Sequence, residues 1–281
     1  MGDGRGPNGL VTGASSGIGQ ATALYLAEKG YSVIGASRSI VRLAELRHRA
    51  DARGLDIAAV EMDVNSDHGV ADVVPALVAE YGSIDVLVNN AGYSLWGPVQ
   101  GLSMDELRGV METNFFGAFR LVQAVLPGML GRSKGTIVNI SSVEGRLVTP
   151  FNGGYAASKF ALEGLSEAMR LELWPLGVRV AVVEPGLFAT GLLDNQVVAA
   201  RSEDPELPYR PYIERYRQRR RKYDRLAKDP IKVAKVVHKI VASRRPRFRY
   251  AVGAEATFGI LAARFLPERL FETLLRRALV D

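Results

Sequence analysis

Along the first 185 residues, short and almost purely apolar runs alternate with longer stretches of helical period, and this alternation constrains the fold more than any other feature. The runs are GLVTG, YSVIGAS, LDIAAVEMDV, IDVLVNN, GTIVNIS and VRVAVVEP. Between them lie patterns that predict helices to about Lys29, to about Arg53, over Asp67 to Tyr81, over about Ser103 to Leu130 and over about Gly154 to Leu173. A strand with one wet face alternates apolar with polar residues. Strands as apolar as these are buried on both faces, which calls for a parallel sheet with helices on either side. The predicted fold is α/β, a doubly wound parallel sheet.

After Pro185 the pattern loosens. Pro205, Pro208 and Pro211 mark an irregular insertion, taken as 187–230, which leads into a basic helix, and an amphipathic extension follows over 255–281. Nothing reads as a linker, and 281 residues can bury one sizeable core, so a single domain over 1–281 is expected. The basicity is local: residues 201–249 hold 17 Lys and Arg against 6 Asp and Glu, while the rest of the chain is net acidic. A basic surface attracts nucleic acid, anionic lipid or an acidic substrate. The segment RYRQRRRKYDRLAK carries no nucleic-acid motif, so no nucleic-acid partner is expected, and a solvated helix face accounts for it equally well.

There is no cysteine, and His48, His68 and His238 are scattered without metal-ligand spacing, so neither disulfides nor a metal site is expected. The N-terminal MGDGRGPNG lacks an apolar signal core, and AVGAEATFGILAA is too short to span a membrane and carries Glu255; a cytoplasmic location is expected. In PERLFETLLRRAL, Leu270, Phe271, Leu274, Leu275 and Leu279 share one face, compatible with peripheral membrane contact. Packing on its own domain or on a partner subunit is the stronger reading of such a helix.

The first strand runs straight into TGASSGIG, with Gly13, Gly17 and Gly19 at the strand-to-helix turn. Glycine there permits a tight turn and close backbone approach, and a helix N-terminus offers free N–H groups to a pyrophosphate, which points to a dinucleotide. The end of the second strand should then meet the adenosine ribose. An acidic residue there would bind a 2′-hydroxyl and an arginine a 2′-phosphate. The strand ends Ala36-Ser37-Arg38, so the predicted cofactor is NADP(H), with Arg38 the main discriminator and Ser37 a further donor. Asp63 and Val64, after the third strand, are placed at the adenine, although an Asp at a strand end also caps the following turn.

In GGYAASKF, Tyr155 and Lys159 stand four positions apart, so a helix would carry both on one face as a unit. Taken alone such a pair is usually a surface pair. Together with TGASSGIG, Asp63, Asn89-Asn90-Ala91-Gly92, Asn114, Ser142 and Pro185-Gly186, however, it resembles the short-chain dehydrogenase/reductase family over roughly residues 8 to 260. NFFGAF and YAASKFALEG look most like its 17β-hydroxysteroid and retinol dehydrogenase members. The resemblance implies a Rossmann-type sheet of about seven strands, a nicotinamide cofactor, interconversion of an alcohol and a carbonyl, and a homodimer or homotetramer.

It also implies roles. Tyr155 is the acid/base, and Lys159 supplies the positive charge that favours the phenolate. Ser142 hydrogen-bonds the substrate oxygen, chosen over Ser141 on its spacing to the tyrosine. Asn114 holds a water that relays protons to the lysine. Gly13, Ser15, Ser16, Gly17, Ile18, Gly19, Asn90, Ala91, Gly92, Pro185, Gly186 and Thr190 contact the cofactor, while Asn89 braces the sheet. Segments after strand C-termini surround the ligand crevice in this kind of fold. Leu95, Trp96, Leu147, Phe151, Leu187, Phe188, Leu192 and Leu193 therefore predict a bulky, mainly apolar alcohol or carbonyl substrate. A binding protein without turnover is the alternative, since a glycine loop alone would serve binding; retention of Asn114, Ser142, Tyr155 and Lys159 argues against it.

Overall fold

The apolar runs become strands buried on both faces. The computed structural model describes residues 6–189, 196–224 and 227–279, with the backbone alone at 220–224. In chain order the elements are β1 (Asn8–Thr12), α1 (Gly17–Glu28), β2 (Ser32–Ser37), α2 (Ile40–Asp51), β3 (Ile57–Glu61), α3 (Asp67–Tyr81) and β4 (Val86–Asn89). There follow β5 (Leu95–Trp96), α4 (Met104–Met111), α5 (Gly117–Gly131), β6 (Gly135–Ile140), α6 (Gly153–Leu173) and β7 (Val178–Pro185). The remainder comprises β8 (Val197–Val198), α7 (Arg210–Asp224), α8 (Ile231–Ala242), β9 (Arg249–Val252), α9 (Ala254–Phe265) and α10 (Glu268–Leu279).

Seven strands form one parallel sheet in the order β3-β2-β1-β4-β6-β7-β9. Period-two alternation divides each strand between two cores. Val11, Val33, Val88, Val138 and Val183 face α1, α2 and α8, where Leu26, Leu46 and Val237 are buried. Leu10, Ile34, Leu87, Ile137 and Val180 face α3, α5 and α6, where Val74, Leu121 and Met169 are buried. The strand order reverses between β1 and β4, and in open α/β sheets the crevice at such a reversal, beyond the carboxyl ends of the strands, is where ligands bind.

Three departures from the pattern bear on the site. The helix expected over Ser103 to Leu130 is interrupted by a π-turn at Glu112–Phe116. Within that turn the Asn114 side chain bonds outside its own helix, as described below. After Pro185, α8 and β9 continue the βα alternation that the sequence there conceals. Finally, α7 buries only Ile213 and Tyr216 among its described side chains, so its arginine-rich face is largely solvated. The C-terminal α10 packs on its own domain: Leu279 joins the cluster around Ile213 and Tyr216, and Arg219 Nη1 donates to Arg277 O at 2.8 Å, although Leu270 and Leu274 stay exposed. Among the described residues no helix is long and apolar enough to cross a membrane, and no cluster of His, Asp and Glu has metal-site geometry.

Candidate active site

A cavity of about 700 Å3 opens at the β1/β4 reversal, walled by the glycine loop, the ends of β2, β4, β6 and β7, and α6. The loop is shaped by close approach. Gly13 has φ +63°, and a Cβ there would fall 2.8 Å from Asn90 Nδ2. A Cβ on Gly19 would meet Gly13 O at 2.2 Å, so Gly19 serves packing of loop on helix and does not itself line the cavity. Asn90 and Ala91 donate their backbone N–H groups to Thr12 Oγ1, each at 3.0 Å, and Asn90 Nδ2 donates to Thr12 O at 2.9 Å. Ser16 precedes α1 without a side-chain hydrogen bond to its first amides, and with Gly13, Ser15, Gly17 and Ile18 it lines the cavity. An open helix N-terminus beneath a glycine turn fits the pyrophosphate of a dinucleotide.

At one end of the cavity stand Ser37 and Arg38, as the sequence predicts, and with them Arg42, which the strand-end pattern does not single out. Both arginines are exposed, and among the described residues neither forms an ion pair. A signal was available, because Arg42 follows Arg38 closely and sits in the first turn of α2, at the same strand-to-helix junction. Ser37 Oγ donates to Ser15 Oγ at 2.9 Å, which ties the end of β2 to the glycine loop. Asp63 does not line the cavity, where its neighbours Val64 and Asn65 do. Its Oδ1 accepts from Asn65 N at 3.0 Å, the turn-capping role an Asp at a strand end can take.

At the other end, α6 brings Tyr155 and Lys159 to the cavity beside Ser142, which follows β6. Lys159 Nζ is buried and donates to Ile140 O at 2.9 Å; it lies 5.8 Å from the centre of the Tyr155 ring. Burial pushes the Lys159 ammonium down to about 8, and the Glu163 carboxylate acts against that shift. Ser142 Oγ accepts from Glu144 N at 3.1 Å, so it caps the following turn while facing the cavity. Ser141 lines the cavity too, and its buried hydroxyl has no hydrogen-bond partner among the described residues.

Asn114 sits behind this group, 1% exposed. Its Oδ1 accepts from Tyr93 N at 3.0 Å, and its Nδ2 donates to Tyr93 O at 3.0 Å and to Ser158 Oγ at 2.9 Å. The π-turn is thereby bolted both to the loop after β4 and to α6. Gly92 leaves room for this contact, since a Cβ there would fall 2.8 Å from Asn114 Oδ1 and 3.7 Å from Lys159 Nζ. Asn89 braces the sheet as expected, donating to Asn139 Oδ1 at 2.9 Å.

The apolar wall is smaller than the sequence suggests. Leu187 and Phe188 line the cavity with Pro185 and Gly186, but Leu95, Trp96, Leu147 and Phe151 do not. Leu95 packs into a separate core with Val110. Trp96, Phe151 and Tyr216 form a ring cluster with centroids 5.4–6.1 Å apart, and Arg217 lies 4.9 Å over the Trp96 ring. These aromatics anchor α7 to the chain entering α6, where Asn152 Nδ2 donates to the Tyr216 hydroxyl at 3.1 Å. Phe151 itself has φ +67°, a strained value for a bulky residue. Thr190, Leu192 and Leu193 lie outside the described residues. Unforeseen on the wall are Tyr93, Ser94, Val143, Glu144, Asn152 and Val197, in loops or elements too short to carry a periodic signature.

Residues 8–200 match the family described as short chain dehydrogenase. The 3-ketodihydrosphingosine reductase of Bacteroides thetaiotaomicron is 35% identical over 268 residues, 95% of this chain and 96% of that protein. Retinol dehydrogenase 8 of Homo sapiens is 41% identical over 251 residues, 85% of this chain and 79% of that protein. A short-chain dehydrogenase structure from Streptomyces avermitilis aligns with TM-score 0.83 and 33% identity over 99% of this chain and 97% of that one. A structure of an actinorhodin polyketide ketoreductase variant with NADPH aligns with TM-score 0.77 and 31% identity over 89% of this chain and 97% of that one.

Proposed function

The chain belongs to the short-chain dehydrogenase/reductase family, and from that premise we propose that it is an NADP(H)-dependent oxidoreductase interconverting an alcohol and a carbonyl on a bulky, mainly apolar substrate. The observation that carries the reading is the convergence of Ser142, Tyr155 and Lys159 on one end of a cavity whose other end presents Arg38 and Arg42.

The residues fit the cofactor. A glycine loop in which a Cβ at Gly13 or Gly19 would clash, and the uncapped start of α1, suit a pyrophosphate, and two guanidinium groups free of described ion pairs suit a ribose phosphate. When bound, the nicotinamide supplies or accepts the hydride. The remaining work falls to the chain. Ser142 donates its hydroxyl to the substrate oxygen. Tyr155 hands its phenolic proton to that oxygen in reduction and takes it back in oxidation. Lys159, held at Ile140 O, places a positive charge near the phenol and lowers the cost of the phenolate. Asn114 fixes the loop carrying Gly92 and Tyr93 against α6 and so keeps the lysine's surroundings in place. Positioning of this kind contributes much of the rate.

Leu187, Phe188, Val143 and Val197 support an apolar substrate, as do the retinol and ketodihydrosphingosine relatives. The test is NADPH consumption with long-chain, steroid and retinoid ketones and aldehydes, and NADP+ reduction with the matching alcohols. Turnover of apolar members over small polar sugars is expected. NADPH binding without turnover of any member would favour a non-catalytic binding module.

A further inference from the structure

One helical turn beyond Lys159, on the same face of α6, Glu163 is buried to 4% exposure. Its Oε2 accepts from Arg249 Nε at 3.0 Å, while its Oε1 is buried and accepts no hydrogen bond from any described residue. Arg249, on β9, also donates through Nη2 to Glu167 Oε2 at 2.8 Å and lies 3.6 Å from Glu184 Oε1. Arg146, four residues after Ser142, donates to Glu184 Oε1 at 2.9 Å. Burial and the neighbouring Glu163 charge push the Glu184 carboxyl above its ordinary value. The cluster ties together the helix that carries Tyr155 and Lys159, the segment after Ser142, and the end of β7 just before Pro185 and Gly186.

Nothing in the reaction as described uses Glu163, yet a half-satisfied buried carboxylate is costly. A buried ammonium is costly as well, and the two offset one another when close in a region of low dielectric. Around Lys159 the polar neighbours are Tyr155 on α6, the Ile140 carbonyl on β6, and the loop at Gly92 with Asn114, while Glu163, one turn along the same face of the helix, acts on it through space without an ion-pair contact. Around Glu163 they are Arg249 from β9, Glu184 from β7, Arg146 after β6 and Glu167 on its own helix. Glu163 is the nearest carboxylate along α6 to the lysine.

We propose that Glu163 is a positioning residue for the reaction: its carboxylate, clamped by Arg249, keeps Lys159 protonated, so that the buried cluster as well as the lysine sets the pH at which Tyr155 works. This rests on the catalytic reading of Tyr155 and Lys159 above. The sign follows from charge alone. An anion nearby favours both the ammonium and the protonated phenol, so removing it lowers the pKa of each. Carbonyl reduction needs Lys159 charged and Tyr155 protonated, and its alkaline limb must then move to lower pH.

The experiment compares wild type and Glu163→Gln in kcat/KM for carbonyl reduction against pH, and titrates ε-carbon-labelled lysines by NMR with Lys159 assigned by its loss in Lys159→Met. In Glu163→Gln the limb and the Lys159 midpoint should both fall by about one pH unit or more, with NADPH affinity kept. Glu167→Gln, which shares Arg249 but is exposed, should move neither. A uniform loss of activity at every pH with an unmoved midpoint, or an equal shift in Glu167→Gln, overturns the assignment. If Glu163→Gln does not fold, Arg249→Gln decides: freed of its clamping cation, the Glu163 carboxylate should raise the Lys159 midpoint and move the alkaline limb to higher pH, and an unmoved or lowered midpoint overturns the assignment. A wild type that reduces no carbonyl overturns the catalytic reading and the role of Glu163 in it, whereas a working enzyme with an unmoved midpoint overturns Glu163 alone.

Discussion

The two ends of the cavity are built on opposite electrostatic plans. At the reacting end Asn114, Tyr155 and Lys159 are 1, 8 and 5% exposed, and Asn114 and Lys159 are held by hydrogen bonds of 2.9–3.0 Å to backbone or buried side chains. At the anion end Arg38 and Arg42 stand in solvent with no ion pair among the described residues. A charge or dipole in a dry, fixed site acts strongly because solvent does not screen it, whereas an exposed guanidinium contributes less and is weakened further by salt. Changes at the buried end should therefore be large, coupled to packing and pH-dependent; changes at the exposed end should be modest, independent of folding and salt-dependent.

The largest effect expected is that of Tyr155→Phe, which removes the transferable proton and little volume. Turnover should fall by about 10²- to 10⁴-fold while NADPH affinity, measured by fluorescence titration, stays near wild type. Retention of more than about a tenth of wild-type kcat, a change of only ~1.4 kcal/mol in the barrier, would take Tyr155 out of its assigned role.

Asn114→Ala should come next and show that chemistry and packing are coupled at this end. It leaves the N–H and C=O of Tyr93 without their partner, at a cost of about 1–3 kcal/mol in stability. Loosening the loop beside Lys159 should cost up to about 10² in kcat. Both a lower melting temperature and a lower kcat are expected. An unchanged melting temperature would mean that the π-turn does not depend on this side chain.

The same contrast explains how much could be read from the sequence. The sheet was legible because buried parallel strands write themselves as uninterrupted apolar runs, and α6 because Tyr155 and Lys159 share a helical face. The π-turn was not, since nothing in ETNFF distinguishes an extra residue per turn from a regular helix, and the partners of Asn114 within it are distant in sequence. In the sequence Trp96 and Phe151 look like substrate wall because they are large and follow strand ends, but their partner is Tyr216 on α7, across a segment whose prolines and charges hide its pattern. Glu163 and Arg249 are 86 residues apart, a pairing no local period announces.

At the exposed end, Arg38→Asp should reverse the preference between NADPH and NADH in kcat/KM. Although Arg38 is exposed like Arg42, this substitution both removes a cation and sets an anion against the phosphate, and the two changes together, about 1.5–3 kcal/mol, correspond to roughly 10- to 150-fold. Melting temperature should be unchanged, in contrast to Asn114→Ala. A wild type that prefers NADH, or an unmoved ratio in the variant, would make Arg38 a surface residue only.

Arg42→Ala carries the smallest effect and sharpens the comparison furthest. Arg42 reaches the same end of the cavity from the first turn of α2, and its backbone N–H already serves that helix by donating to Ser39 Oγ at 3.4 Å, so trimming the side chain leaves the cap intact. Being exposed, the guanidinium should contribute no more than about 1 kcal/mol, a few-fold in KM for NADPH, with kcat unchanged because nothing at the reacting end moves. The contribution should shrink as ionic strength rises, because at 1 M salt the screening length is about 3 Å. Measuring KM for NADPH in wild type and Arg42→Ala at low and high salt decides the point. If the difference persists undiminished in high salt, Arg42 is making a desolvated contact with the phosphate, and the anion end is built more like the reacting end than its exposure implies.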